Sequence, residues 1–190
     1  MDFAVRRLTP GAESAPNYHL LDPDGNVLIV ADQSVAADLD ARHQVRLARP
    51  DGRLLATIEL PLVENNGASA DTADYAIIHE YAVYAILSVH RRKVANGGGQ
   101  PRTYFTLEVE GERWMALPDA EMAGCYAIHD EVPKGLFGYE THADVDLPPS
   151  IGRLCAEDNE LAYSASIDPD RLRETGLIIL ALAYLVDSTR

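Results

Sequence analysis

The sequence predicts a mainly β fold with one central helix (α+β), in which strands close into an antiparallel barrel around a buried hydrophobic C-terminal helix. One observation is a repeated strand–turn–strand pattern in the middle of the chain. The other is an uninterrupted apolar stretch, "LIILALAYLV", at residues 177–186. A helix that is apolar on all sides must be surrounded, and a strand-rich chain can surround it by closing its sheet. We expect ten or more strands, because side chains alone can fill an eight-stranded barrel.

The strand prediction rests on four segments with one layout, a polar turn followed by an apolar-rich strand. Each follows another apolar-rich run, so each predicts a β-hairpin. In the first two, Pro suits the early turn position and Gly tolerates a positive φ. The four segments are "PDGNVLIVA" (23–31), "PDGRLLATI" (50–58), "VEGERWMAL" (109–117) and "EDNELAYSA" (157–165). A first strand is expected near residues 3–8.

Apolar residues recur at every second position in several segments, which is typical of strands with one face in a core. Leu54, Ala56 and Ile58 share one such face. Residues 79–90, "HEYAVYAILSVH", are predicted to form one strand. Its apolar side is expected to carry Tyr81, Val83, Ala85, Leu87 and Val89. Residues 61–74 and 93–102 are rich in Gly and polar residues and are predicted to be loops.

The C-terminal stretch predicts a helix over residues 169–186. Asp168 can cap it, Pro169 suits the first helical position, and Asp170 favours the positive helix end. A membrane span needs about 20 apolar residues to cross about 30 Å. The ten apolar residues here cover about 15 Å at 1.5 Å per residue. The helix is therefore predicted to lie inside the protein and not to span a membrane.

Composition limits the classes of partner. The 190 residues are predicted to form a single domain, 1–190. Thirty acidic against 16 basic residues give a formal net charge of −14, which argues against broad nucleic-acid binding and adsorption to anionic membranes. The first residues lack the apolar core of a secretory signal, so a soluble, cytoplasmic protein is expected. For Cys125 and Cys155 we favour free thiols in a reducing compartment over a disulfide.

Several stretches in this order resemble the tubby-like barrel superfamily, which includes the LURP-one-related proteins and the phospholipid scramblases. They are "YHLLDPDGNVLIVAD", "VRLARPDGRLLATIE", "GRLCAEDNELAYSASID" and "LIILALAYLVD". The resemblance implies an antiparallel barrel of roughly twelve strands around the C-terminal helix. Scramblases also carry Pro-rich N-terminal regions, cysteine clusters and a calcium-binding stretch. None of these is evident in this sequence, so scramblase activity is not predicted.

A basic cluster is the candidate ligand site that the resemblance implies, because the best-known tubby-like domains bind phosphoinositide head groups through basic side chains. The stretch "HRRKVANGGGQPR" (90–102) places Arg91, Arg92, Lys93 and Arg102 around a glycine-rich loop. Such a cluster could hold a phosphate through charge-assisted hydrogen bonds. The alternative is a solvated hairpin end with no ligand.

Candidate metal ligands occur in "HADVD", where His142, Asp144 and Asp146 fall on one strand face. Imidazole and carboxylate groups are common ligands. The same alternation is expected of a strand that faces solvent, and no metal or other cofactor is predicted.

Other histidines leave an enzyme as an alternative. His79 and His129 each precede an acidic residue, but neighbours on a strand point to opposite faces, so neither pair works together. No G-x-S-x-G motif or phosphate-binding loop is present.

The main functional hypothesis is a non-enzymatic barrel that binds a lipid head group, another phosphate-bearing ligand or a protein partner on its outer surface, as a monomer or weak homo-oligomer. The alternative is a hydrolase or lipid-active enzyme with His79, His129 and His142 at the barrel rim. Clustered histidines would favour the enzyme, and scattered ones the binding module.

Overall fold

The structure is a computed structural model. It describes residues 1–8, 17–32, 44–59, 72–92, 102–109, 111–130, 148–157, 162–168 and 175–188. These residues contain twelve strands and one helix. The strands are β1 (Asp2–Leu8), β2 (Asn17–Leu21), β3 (Val27–Asp32), β4 (Gln44–Ala48), β5 (Leu54–Glu59), β6 (Thr72–His79), β7 (Ala82–Arg92), β8 (Arg102–Val109), β9 (Glu112–Pro118), β10 (Cys125–His129), β11 (Ser150–Ala156) and β12 (Ala162–Ile167), and the helix is α1 (Thr175–Ser188).

The strands form one closed barrel in which each strand pairs antiparallel with its neighbours in sequence. Pairing of β1 with β12 completes the circle, with Phe3 opposite Ala165. The prediction of a closed antiparallel barrel of about twelve strands is confirmed. That residues 1–190 form a single domain stays a prediction.

All four predicted hairpins are present, as β2–β3, β4–β5, β8–β9 and β11–β12. The first two of these hairpins have tight turns with a left-handed backbone, which glycine adopts without a steric penalty. Gly25 and Gly52 both have a φ of 84° in the first two turns. The turn chemistry that predicted these hairpins therefore operates in the folded chain.

Alternate residues of the strands form the core. In β8, Phe105, Leu107 and Val109 are buried, while Glu108 is exposed. A similar alternation recurs in several other strands, while residues 114–117 of β9 are all buried. The inward side chains build one apolar cluster, whose largest fully buried members include Trp114, Tyr163, Phe105, Leu20, Leu47, Ile58, Ile77 and Leu87.

Helix α1 contributes to this same cluster. Residues 177–186 are each at most 7% exposed. Near the helix start, Gly176 packs close to β2, because an added Cβ would lie 2.9 Å from the terminal methyl carbon Cδ2 of Leu20. The helix begins at Thr175, and residues 169–174 of the predicted helix lie outside the described part of the chain. Among the described residues, no helix is long and apolar enough to cross a membrane.

The prediction that residues 79–90 form one strand is wrong. A two-residue turn at Glu80 and Tyr81 separates β6 from β7, with φ values of 49° and 64°. Left-handed backbone costs a non-glycine residue about 1–2 kcal/mol, so such a turn usually contains glycine. Neither Glu80 nor Tyr81 is glycine, and the sequence therefore contains no local signal for this turn. A register shift opposite Ile77 and Ile78 then places Val83 at 60% exposure, while Ala85 remains buried. Tyr81 is fully exposed rather than facing the core.

The prediction of free thiols is also wrong, because Cys125 and Cys155 form a disulfide. The two residues lie directly opposite one another on β10 and β11. Thirty residues of sequence separate them, and only the strand register brings them together. Free thiols were one argument for the expected cytoplasmic location. Because disulfides form mainly in oxidising environments, the disulfide removes that argument.

Gly152 in β11 gives a testable steric prediction. An added Cβ would lie 2.6 Å from the Ser166 carbonyl oxygen and 2.9 Å from Ile167 Cγ1. Backbone cannot move aside cheaply, so Gly152→Ala is expected to lower the free energy of unfolding by about 1–3 kcal/mol or more. Urea denaturation measures the change.

Gly176→Ala is the matched comparison. Its new Cβ would meet terminal methyl groups of Leu20 and Ile29, which can rotate away. Alanine also gains about 1 kcal/mol of helix propensity. An equal or larger loss for Gly176→Ala would contradict the role assigned to Gly152.

Candidate functional site

The barrel has two ends, and the predicted basic cluster lies at one of them. Strand β7 ends and β8 begins at this end. Helix α1 finishes at the same end, since Asp187 contacts Arg7 at the end of β1 and Tyr18 at the start of β2. We call this the exit end.

Strand register brings two of the predicted ligand residues together. Arg92 lies directly opposite Arg102 in the β7–β8 pair, and Arg91 lies opposite Thr103. Arg91 is exposed. Lys93, the fourth predicted residue, lies outside the described part of the chain. Three of the four predicted basic residues therefore belong to the two terminal residue pairs of the β7–β8 ladder.

An aromatic pair lies on the next rung of the same face. His90 is opposite Tyr104, and their rings stack with centroids 4.6 Å apart and planes 9° from parallel. His90 Nε2 is 2.9 Å from Thr106 Oγ1. Burial lowers the pKa of His90, and the Asp74 charge only partly opposes it. His90 is therefore neutral at pH 7, and the basic charge of this ribbon comes from arginine.

Two arginines at directly opposed strand positions are a pattern that favours an anion. Like charges directly across a strand pair destabilise the sheet. A phosphate between two guanidinium groups reverses this effect, because each guanidinium can donate two parallel hydrogen bonds to its oxygens. We call Arg92 and Arg102, with the His90–Tyr104 stack, the arginine ribbon; Arg91 lies on the opposite face of β7.

A second polar cluster at the exit end fastens the helix to the barrel. The Asp187 side chain, only 8% exposed, accepts a 2.5 Å hydrogen bond from Tyr18 Oη and a 3.3 Å bond from Tyr163 Oη. Arg7 Nη1 lies 2.9 Å from Asp187 Oδ2. Three different strands thus hold one carboxylate. We call these four residues the Asp187 lock.

Burial dominates the protonation behaviour near the lock. It raises the pKa of Tyr18 far above its usual value of 10.0, and the hydrogen bond to Asp187 adds to the effect. Burial also raises the pKa values of Tyr184 and Tyr75. These phenols stay neutral and act as hydrogen-bonding and packing groups rather than as acids or bases.

Two of the three histidines of the enzyme alternative, His79 and His129, lie far apart, and the third, His142, lies outside the described residues. His79 Nδ1 is 2.7 Å from the Leu55 carbonyl oxygen, and His129 Nδ1 is 2.8 Å from the Pro148 oxygen. They close β6 and β10, four strands apart. At about 4.8 Å per strand, this is about 19 Å around the barrel. The two rings cannot act on one substrate atom.

The predicted metal ligands His142, Asp144 and Asp146 lie outside the described residues. Within the part of the chain that the structure does describe, no group of three or more His, Cys, Asp or Glu side chains is placed to hold a metal ion.

An open groove of about 560 Å³ lies on the outside of β11 and β12, where Ser150, Ser164 and Ser166 line it. Arg153 also lines the groove, and its Nε lies 2.9 Å from Asp119 Oδ2. Backbone hydrogen bonds from Glu121 and Met122, together with Arg153, lower the pKa of Asp119. Arg153 is therefore already engaged by a carboxylate.

Comparison of the chain with protein-family models, with curated proteins and with solved structures gives no match. Its candidate site is therefore argued from geometry and chemistry.

The sequence did not reveal that His90 and Tyr104 belong to the arginine ribbon. The two residues lie on either side of a long glycine-rich stretch, so the sequence does not specify which residues of the two strands pair with each other. Counting outward from Arg92 and Arg102 in steps of two would have found the pair, but only with the register known.

Proposed function

We propose that this chain is a non-enzymatic binding module that holds a phosphate-bearing ligand, either free in solution or as a lipid head group, on the arginine ribbon. The observation that carries the proposal is the register that sets Arg92 directly opposite Arg102. With a net charge of −14, the protein repels anions in general. Binding at the ribbon must therefore depend on short, directed hydrogen bonds rather than on overall charge.

Two finer features belong to the same proposal. We propose that helix α1 runs through the lumen of the barrel, which is supported by its buried residues and by its contacts with β1, β2 and β12 through Asp187. We also propose membership of the tubby-like superfamily, supported by the twelve-stranded closed barrel and its single C-terminal helix within the described residues. A filled lumen leaves the outside of the barrel for ligands.

The separation of His79 from His129 favours a binding module over an enzyme at the barrel rim. Each ring already contacts a backbone oxygen. General acid–base catalysis needs a group within hydrogen-bond reach of the reacting proton and a partner to complete the reaction. These two rings do not form such a pair.

Replacing either opposed arginine is expected to weaken phosphate binding. A hydrogen bond to a charged group is worth about 1.5–3 kcal/mol, so Arg92→Ala or Arg102→Ala should each reduce affinity about tenfold or more. Calorimetric titration with inorganic phosphate tests a free ligand. Flotation with phosphatidylcholine vesicles, with and without a phosphoinositide, tests a lipid head group.

Arg46→Ala is the matched control, because Arg46 is an exposed arginine on β4, away from the ribbon. It removes the same charge and should leave binding unchanged. Equal binding by all variants, or no binding of either probe by the unmodified protein, would refute the proposed function.

A further inference from the structure

A second surface lies on the outside of β5–β8, and its Ile86 lies about 14 Å along β7 from His90 of the arginine ribbon, at about 3.4 Å per residue. Four apolar residues meet there on neighbouring rungs. Ala76 pairs with Ile86, and Ile78 pairs with Val83. Val83 is 60% exposed and Ile86 is 42% exposed. We call these four residues the outer apolar face.

Carboxylates surround this face. Glu59 lies opposite Ala76, and Glu108 lies opposite Ile86, so one rung reads Glu59–Ala76–Ile86–Glu108. Glu80 lies beyond Ile78 at the strand turn, and exposed Asp74 lies two residues before Ala76. Arg113 lies near the face, with its Nε 3.5 Å from Glu108 Oε2. An acidic border with an apolar centre excludes an anionic membrane as the occupant.

The turn between β6 and β7, next to the outer apolar face, exposes an aromatic side chain to solvent. Glu80 and Tyr81 occupy left-handed backbone at a turn that usually carries Asn-Gly. Tyr81 is fully exposed. Such backbone conformations concentrate where a side chain has a function, and exposed tyrosine is a frequent anchor in protein interfaces.

The dimensions favour a helix. From Glu59 to Glu108 the rung spans three strand spacings, about 14 Å. An α-helix with its side chains is about 10–12 Å wide, so one helix fits between the two carboxylates. A closed barrel offers no free strand edge in the described residues, so a partner must bind through side chains and not by adding a strand.

We propose that the outer apolar face binds an amphipathic helix of a partner protein, whose apolar stripe packs on Ile78, Val83 and Ile86. Lysine or arginine residues on both sides of that stripe pair with Glu59 and Glu108, and Tyr81 contacts one end of the helix. A second copy of this chain is disfavoured, because two molecules that each carry a charge of −14 repel one another.

The test uses the full chain and a synthetic helical peptide with leucines at helical spacing, flanked on both sides by lysines. Fluorescence anisotropy measures its binding, and a peptide with glutamate in place of every lysine is the charge control. Binding of the lysine peptide, with affinity that falls as salt rises, and none of the glutamate peptide, is expected. No binding of the lysine peptide, or equal binding of both, overturns the proposal.

Variants locate the interaction on the face. Ile86→Lys and Tyr81→Ser are each expected to weaken binding of the lysine peptide at least tenfold. Leu28→Lys, at a 38% exposed leucine on β3, is the matched control and should bind like the unmodified chain. Tyr81→Ser keeps the test valid if Ile86→Lys does not fold. Unchanged binding by folded Ile86→Lys or by Tyr81→Ser refutes the assignment.

The two proposals can fail separately. Arg92→Ala is expected to leave peptide binding intact, and Tyr81→Ser is expected to leave phosphate binding intact. Sedimentation of the unmodified chain tests self-association, and a dimer that Ile86→Lys dissociates would overturn the helix proposal in favour of a second copy.

Discussion

Removal of residues 177–190 is expected to abolish cooperative folding. Seven aliphatic side chains in this stretch are at most 1% exposed: Leu177, Ile178, Ile179, Leu180, Leu182, Leu185 and Val186. Burial of such side chains contributes about 1.5–3 kcal/mol each, or about 10–20 kcal/mol together. Domains are stable by about 5–15 kcal/mol, so the truncated chain has no net stability left. Differential scanning calorimetry is expected to show no unfolding transition.

Leu180→Ala is the graded control for the truncation. It removes one buried side chain and should cost about 2–5 kcal/mol while retaining a single cooperative transition at lower temperature. A truncated chain that melts cooperatively near the temperature of the full chain would contradict the structural role of α1.

Loss of the Asp187 lock is also expected to destabilise the fold. Asp187→Ala leaves Tyr18 without its acceptor and Arg7 without its counter-charge. Breaking a fully buried pair costs about 3–5 kcal/mol. Arg7 is 34% exposed and water screens part of its charge, so we expect about 2–3 kcal/mol, measured by urea denaturation at pH 7.

The lock also predicts a response to alkaline pH. Since the folded pKa of Tyr18 lies above the unfolded value, this tyrosine contributes stability that is fully present below about pH 10. Above that pH the unfolded chain releases the proton while the folded chain keeps it, so stability falls. Asp187→Ala removes a cause of the raised pKa, so its stability should fall less steeply than that of the unmodified chain above about pH 10.

The control for the lock is the more exposed pair of Glu108 with Arg113. Its members are 49% and 32% exposed, so Glu108→Ala should cost no more than about 1 kcal/mol. Equal losses for the two variants, or an unchanged alkaline slope in Asp187→Ala, would show that the lock does not fasten the helix.

Part of the candidate site was predictable, and its limits have a physical cause. The basic residues around the glycine-rich stretch were identified from the order of charges in the sequence together with the tubby-like resemblance, because charge is visible residue by residue. That Arg92 faces Arg102, and that His90 stacks on Tyr104, depends on which residues pair across two strands. A shift of one residue would move every side chain to the other face, and no local signal fixes that choice.

The turn at Glu80 and Tyr81 illustrates the same limit within one segment. Residues 79–90 alternate well enough to predict one strand, and no glycine or proline interrupts them. Pairing of His79 with Ala82 nevertheless imposes a left-handed turn. The tertiary arrangement of neighbouring strands overrides the local preference, and it exposes Tyr81 and Val83 as a result.

By itself the sequence determined the four hairpins, the C-terminal helix and the closure of many strands into a barrel. These depend on turn residues, on period-two alternation and on an apolar stretch, which are all local signals. Only the tertiary structure decided the Cys125–Cys155 disulfide, the Asp187 lock and the faces of β7. The disulfide and the lock join residues far apart in the chain, and the faces of β7 depend on its register with β6. Side-chain patterns alone do not specify such pairings.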